Sequence, residues 1–157
     1  RPVRVCKIAM ARFAHLVKRA IYSFSDAPIS TLDMHWVTET LTLNEFSLWQ
    51  QFNNSDKRHS ITVSKRFNAA LPLAGKEHLA GVMLHDIGKI KSNLSTIMRV
   101  FATLVGPRGK RFSMYHDHEQ IGVRLLEAIT SDRRTISILD GTCEPSIYAA
   151  FLRADDI

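Results

Sequence analysis

Apolar residues recur every three or four positions along most of this chain, and no convincing stretch alternates apolar and polar residues. That spacing is the strongest constraint on the fold. It matches the 3.6-residue helical turn and not the two-residue repeat of a strand. The chain has 157 residues, 45 % hydrophobic and 23 % charged, enough for one globular domain with a sizeable core. The expected fold class is all-α, a single helical bundle, with no internal repeat or low-complexity segment.

Helix signals and breakers place the elements in order. Val5, Ile8, Phe13, Leu16, Val17, Ala20, Ile21 and Phe24 give helical periodicity, with Lys7, Arg12, Lys18 and Arg19 on the other faces. Such a basic amphipathic helix either packs on the core or lies on a membrane surface. Ser25-Asp26-Ala27-Pro28 breaks it. Residues 29–42 are ambiguous: Thr31 or Asp33 can cap a short helix holding Trp36, while Thr38, Thr40 and Thr42 weaken a long one. Thr42 or Asn44 caps a helix carrying Phe46, Leu48, Trp49 and Phe52. Asn53 to Asp56 is a cap cluster that opens a helix from about Lys57 to Ala70, with His59, Val63, Phe67 and Ala70 on one face.

Pro72 separates this from a helix running from about Ala74 to Ile87, in which His78 shares a face with His85. Ser92 or Asn93 caps a further helix that Gly106-Pro107 stops. Arg108, Lys110 and Arg111 then form a basic loop, either a solvated linker or an anion-steering lid. His118, Gly122, Leu125 and Ile129 align on the next helix, Asp132 caps another, and Pro145 starts the last. There Tyr148, Phe151, Leu152 and Asp155 form one stripe, and Asp156 lies about 100° away.

Composition excludes some classes. Two cysteines, Cys6 and Cys143, make neither a disulfide framework nor a zinc-finger spacing, which fits a reducing cytoplasm. No segment reaches the ~20 apolar residues of a membrane span. Arg1 stands first, which leaves the natural start open. A net charge of +6 permits anionic ligands. The basic residues are scattered, so nucleic acid is a weak candidate partner.

The chemistry concentrates in Leu84-His85-Asp86-Ile87-Gly88-Lys89, at the end of an apolar run. Imidazole beside carboxylate suits a first-row divalent metal. Gly88 stands where a left-handed helix cap belongs, and that turn brings Lys89 back toward the pair. The plainer alternative is a buried His and Asp at a helix end, with Lys89 complementing the helix dipole.

This segment resembles the HD superfamily of metal-dependent phosphohydrolases in its HDIG form. The family pattern is a histidine, the His-Asp doublet and a distant aspartate, matched here by His59, His85 with Asp86, and Asp155. Asp56-x-x-His59 resembles the family's first motif, and His118-Glu119-x-x-Gly122 its HxxxG segment. The resemblance covers residues 43–157 as an HD-like helical core and leaves 1–42 as an N-terminal helical extension. It implies one divalent ion (Mn, Fe, Co, Ni, Zn or Mg) on His59, His85, Asp86 and Asp155. Asp86, Lys89 and His118 are then the catalytic candidates, with Lys89, His118 and Arg111 on substrate and Glu119 a weaker candidate for orienting water. The implied activity is hydrolysis of a small phosphorylated, nucleotide-like molecule through a metal-activated water. One departure matters: Gly122 to Ala154 contains no histidine, whereas dinuclear members carry more there. That leaves a mononuclear enzyme, or alternatively a non-catalytic HD domain with a binding or regulatory role.

Overall fold

Side-chain caps decide where most helices begin. In the computed structural model, which describes residues 28–91 and 118–156, Ser30 caps α1 (Thr31–Thr40), its hydroxyl accepting from the Asp33 N–H at 3.1 Å. The expected cap, Thr31 or Asp33, lies just inside the helix instead. Thr38 and Thr40 are tolerated because their hydroxyls donate to carbonyls one turn back. Thr42 caps α2 (Leu43–Trp49) in a reciprocal capping box with Glu45. Helix α2 stops at Trp49, so Phe52 enters the core from the following turn.

Asn53 caps α3 (Asn54–Ala70), which starts three residues before the Lys57 expected from sequence. Helix α4 (Lys76–Leu84) is shorter than expected at both ends. Beyond it a 3-10 turn covers Ile87–Lys91. Helix α5 (His118–Ala128) ends on Thr130, whose φ is 60°, and α6 (Arg133–Leu139) is capped by Asp132 as expected. Pro145 opens α7 (Pro145–Asp155), where its missing N–H costs nothing. No strand occurs among the described residues. The all-α expectation therefore holds for them.

Helix α4 is the centre of the packing. It contacts α6, α3 and α1, while α7 lies on α3 and α5 on α6. Ala80, Gly81, Val82, Met83 and Leu84 are all buried, as expected of a helix apolar all round. Around them Trp49, Phe67, Ile87, Leu126 and Ile138 are almost wholly excluded from water. Val37 of α1 is also fully buried. Trp49 donates its indole N–H to the Ser60 hydroxyl at 2.9 Å, pinning the first turns of α3. No helix among the described residues is long and apolar enough to cross a membrane.

The two outer helices present their edges where the site forms. On α3, Ser60, Ile61, Val63, Ser64 and Phe67 are buried, but Ala70 is exposed. The expected stripe therefore holds only from His59 to Phe67. On α7 the buried residues are Ala150, Phe151 and Ala154, and Leu152 is 49 % exposed. That face shares Phe151 with the Tyr148-Phe151-Leu152-Asp155 stripe read from sequence but is rotated from it by roughly 90°. His59 and Asp155 thus sit at the margins of buried faces, where a side chain can meet both core and solvent.

Candidate metal centre

Four side chains from three parts of the chain converge. His59 comes from the second turn of α3, His85 and Asp86 from the end of α4, and Asp155 from the last residue of α7. Asp155 Oδ1 lies 3.1 Å from His59 Nε2 and 3.5 Å from His85 Nε2. Asp86 Oδ2 lies 3.6 Å from His85 Nε2 and 3.9 Å from His59 Nε2. Bonds of about 2.1 Å to one ion would separate neighbouring ligand atoms by about 3.0 Å in an octahedron and 3.4 Å in a tetrahedron. The observed spacings are of that size. His59, His85 and Asp86 form a group that could hold a metal ion, and Asp155 reaches both of its imidazoles.

His85 is oriented by two contacts that sequence reading did not single out. Its Nδ1 lies 2.7 Å from the Val82 carbonyl. A carbonyl only accepts, so Nδ1 carries the proton and Nε2 presents a lone pair. The Phe151 ring packs edge-on against the imidazole, with centroids 5.3 Å apart. Nothing local marks the carbonyl in the sequence. Phe151 was visible as the residue one turn before Asp155. His85 Nε2 is buried and has no hydrogen-bond partner. A buried lone pair facing two carboxylate oxygens calls for a cation, either a proton or a metal. The donor set fits a divalent ion.

The electrostatics agree. Burial would push the Asp86 carboxyl up, but Lys89, His85, His118 and His59 hold it well below the usual carboxylate range. Asp155 is likewise held far down against its burial, by the neighbouring imidazoles of His59 and His85. Burial disfavours the charged form of His85, yet the carboxylates of Asp86 and Asp155 outweigh it and raise the imidazole above its ordinary value.

Lys89 returns to the site, but not by the expected route. Gly88 does not adopt a left-handed cap: among the described residues positive φ occurs only at Thr130 and Gly141. The 3-10 turn does the work instead, with the Lys89 N–H donating to the Asp86 carbonyl at 2.9 Å. Lys89 Nζ forms an ion pair with Asp86 Oδ2. Gly88 is required for a different reason. A Cβ there would lie 1.8 Å from the His118 carbonyl oxygen and 2.9 Å from the Gly122 N. Gly122 faces the same turn, where a Cβ would lie 3.3 Å from Ile87 Cγ2 and 3.4 Å from the Gly88 N, besides 2.8 Å from Leu139 Cδ2; the close packing of α5 on the turn is not the work of one glycine. That packing brings His118 Nε2 to 3.4 Å from Asp86 Oδ1.

Other candidates fall elsewhere. Glu119 is exposed. His78 sits two turns before His85, with its Nδ1 near Gly75, and is not part of the cluster. Arg111 with its basic loop, His116, the amphipathic segment Val3 to Phe24 and the helix expected after Ser92 all lie outside the described residues. Set against known proteins, the chain matches no family model, no curated protein and no solved structure.

Proposed function

We propose that the chain is an HD-type, metal-dependent phosphohydrolase acting on a small phosphorylated, nucleotide-like substrate. The observation that carries this reading is the buried, unpartnered Nε2 of His85, facing Asp86 and Asp155 with His59 beside it. The order His, His-Asp, Asp along the chain supports the family assignment. His59, His85, Asp86 and Asp155 would hold one divalent ion, whose identity the ligand set leaves open. Such an ion, when bound, lowers the pKa of water and polarises a phosphoryl oxygen.

The chain's own residues do the rest. Val82 fixes the His85 tautomer so that Nε2 faces inward. His118 steadies Asp86 through Oδ1 and stands beside the site, where its imidazole can hold a phosphate oxygen or protonate the leaving group. Lys89 supplies the cation that neutralises phosphate charge. A second reading, a non-catalytic binding domain, is favoured by one observation: Lys89 is already engaged by Asp86.

Metal analysis of protein purified without added metal, followed by a panel of phosphate esters and nucleotides, separates the two. Metal with turnover is expected. Metal without turnover on any ester would favour the binding domain, and absence of metal under saturating conditions would remove the enzyme reading.

A further inference from the structure

A metal ion at this centre and the Lys89 ammonium require the same atom. Lys89 Nζ is paired with Asp86 Oδ2, and Oδ2 is the oxygen that faces His85 Nε2 at 3.6 Å and His59 Nε2 at 3.9 Å. The other oxygen, Oδ1, is turned to His118 Nε2 at 3.4 Å. Asp86 therefore cannot rotate to offer a fresh oxygen without giving up His118. The pair is also largely shielded from water, with side-chain exposures of 12 % for Lys89 and 6 % for Asp86, so solvent does little to weaken their attraction.

We propose that Lys89 is a tethered cation, held on Asp86 Oδ2 until a divalent ion displaces it, so that metal binding is what frees Lys89 to take a phosphate group. This rests on the metal-hydrolase reading above and adds an order to it: metal first, anion second. A divalent ion on Oδ2 repels an ammonium at hydrogen-bond distance from the same oxygen. Lysine suits the task, because its compact head sits on a flexible four-carbon stem and can swing aside. An arginine would grip both carboxylate oxygens as a fork and resist release. Once displaced, the ammonium stands beside the ion, and an incoming phosphate meets two cations instead of one. Without metal, the lysine's charge is already neutralised and the site offers phosphate little.

The test uses the full chain, Mn²⁺ followed by the electron paramagnetic resonance of the free ion, and inorganic phosphate followed by calorimetry. Lys89→Met should bind Mn²⁺ about tenfold more tightly than wild type, because the competing charge-assisted bond is gone. Loaded with Mn²⁺, wild type should bind phosphate about tenfold more tightly than Lys89→Met. With metal removed by chelator, Asp86→Asn should bind phosphate measurably while wild type and Lys89→Met do not, because its Lys89 has lost the charged partner. Should Asp86→Asn fail to fold by circular dichroism, the two Lys89→Met comparisons decide alone. Mn²⁺ affinity unchanged or weakened in Lys89→Met overturns the inference. So does equal phosphate affinity in the two Mn²⁺-loaded proteins, or metal-free wild type binding phosphate as well as Asp86→Asn. Wild type binding Mn²⁺ with any of these results leaves the metal reading standing, whereas no Mn²⁺ binding by wild type or Lys89→Met removes both.

Discussion

At the residue scale the site depends on a few lone pairs held against burial. His85→Ala and Asp86→Ala should each lower metal affinity by more than about 100-fold, since losing a residue that merely hydrogen-bonds to a ligand already costs about 10- to 100-fold. Both variants should stay helical, because the ligands lie at a helix end and outside the Trp49-Phe67-Met83 core. Equilibrium dialysis with circular dichroism checks this, and full metal retention in both would make the doublet structural. The charged groups also set a pH window for the metal-free protein. Asp86 and Asp155 have depressed folded values. Their stabilisation is present above the ordinary ~3.9 and is lost as pH falls through the lower folded values. His85 is raised, so its contribution is present below the ordinary ~6.5 and is lost as pH rises through the folded value. Denaturant titrations of metal-free protein should therefore give maximal stability between about pH 4 and 6.5. Saturating metal should abolish the loss on the alkaline side, since it requires the deprotonated imidazole. A metal-free stability still climbing above pH 7 would contradict the His85 assignment.

At the element scale, the turn after α4 is where sequence and structure part. The helix-end glycine was read as a left-handed cap because that is a local signal, complete within a few residues. Its actual partner, the His118 carbonyl, lies on α5, and no local rule reports a contact between distant segments. For the same reason Thr42, Asn53 and Asp132 were legible as caps, the ambiguous start of α1 is settled only by the Ser30 hydroxyl on the Asp33 N–H, and the quartet itself was readable mainly from its resemblance to a family pattern. Helical spacing placed His59 and Asp155 facing inward, yet it misjudged Ala70 and Leu152, because which side of a helix is buried depends on its neighbours. Gly88→Ala should cost about 3 kcal/mol, since a methyl group 1.8 Å from a carbonyl oxygen forces α5 off the turn. It should also weaken the His118-Asp86 contact, visible as a changed His118 imidazole chemical shift. Wild-type stability in this variant would mean the turn is loose. At the end of α5 the sign reverses. Thr130 is β-branched and sits at φ 60°, a conformation costing roughly 1–2 kcal/mol in strain, against roughly 0.5–1 kcal/mol for the entropy of a glycine. Thr130→Gly should thus gain about 0.5–1 kcal/mol by chemical denaturation.

At the scale of the whole molecule, the centre ties together the α3, α4 and α7 helices that pack in sequence on one another. Mn²⁺ or Zn²⁺ at about 100 times its dissociation constant should stabilise the fold by about 2.7 kcal/mol, seen as a melting-temperature rise of several degrees that chelator reverses. One tightly bound transition metal per chain is expected, because among the described residues only His118 stands at Asp86 Oδ1 and because Gly122 to Ala154 lacks histidine. Two equivalents by elemental analysis would overturn that. The distance between ligands along the chain has a further consequence during synthesis. His59 and Asp155 are 96 residues apart, so at about 5–20 residues per second a ribosome adds the second roughly 5–20 s after the first. His59, His85 and Asp86 suffice to form the three-ligand group, and all three are made long before α7. A nascent chain therefore has three of the four ligands and Lys89 in hand before α7 is made, and α7 brings the fourth.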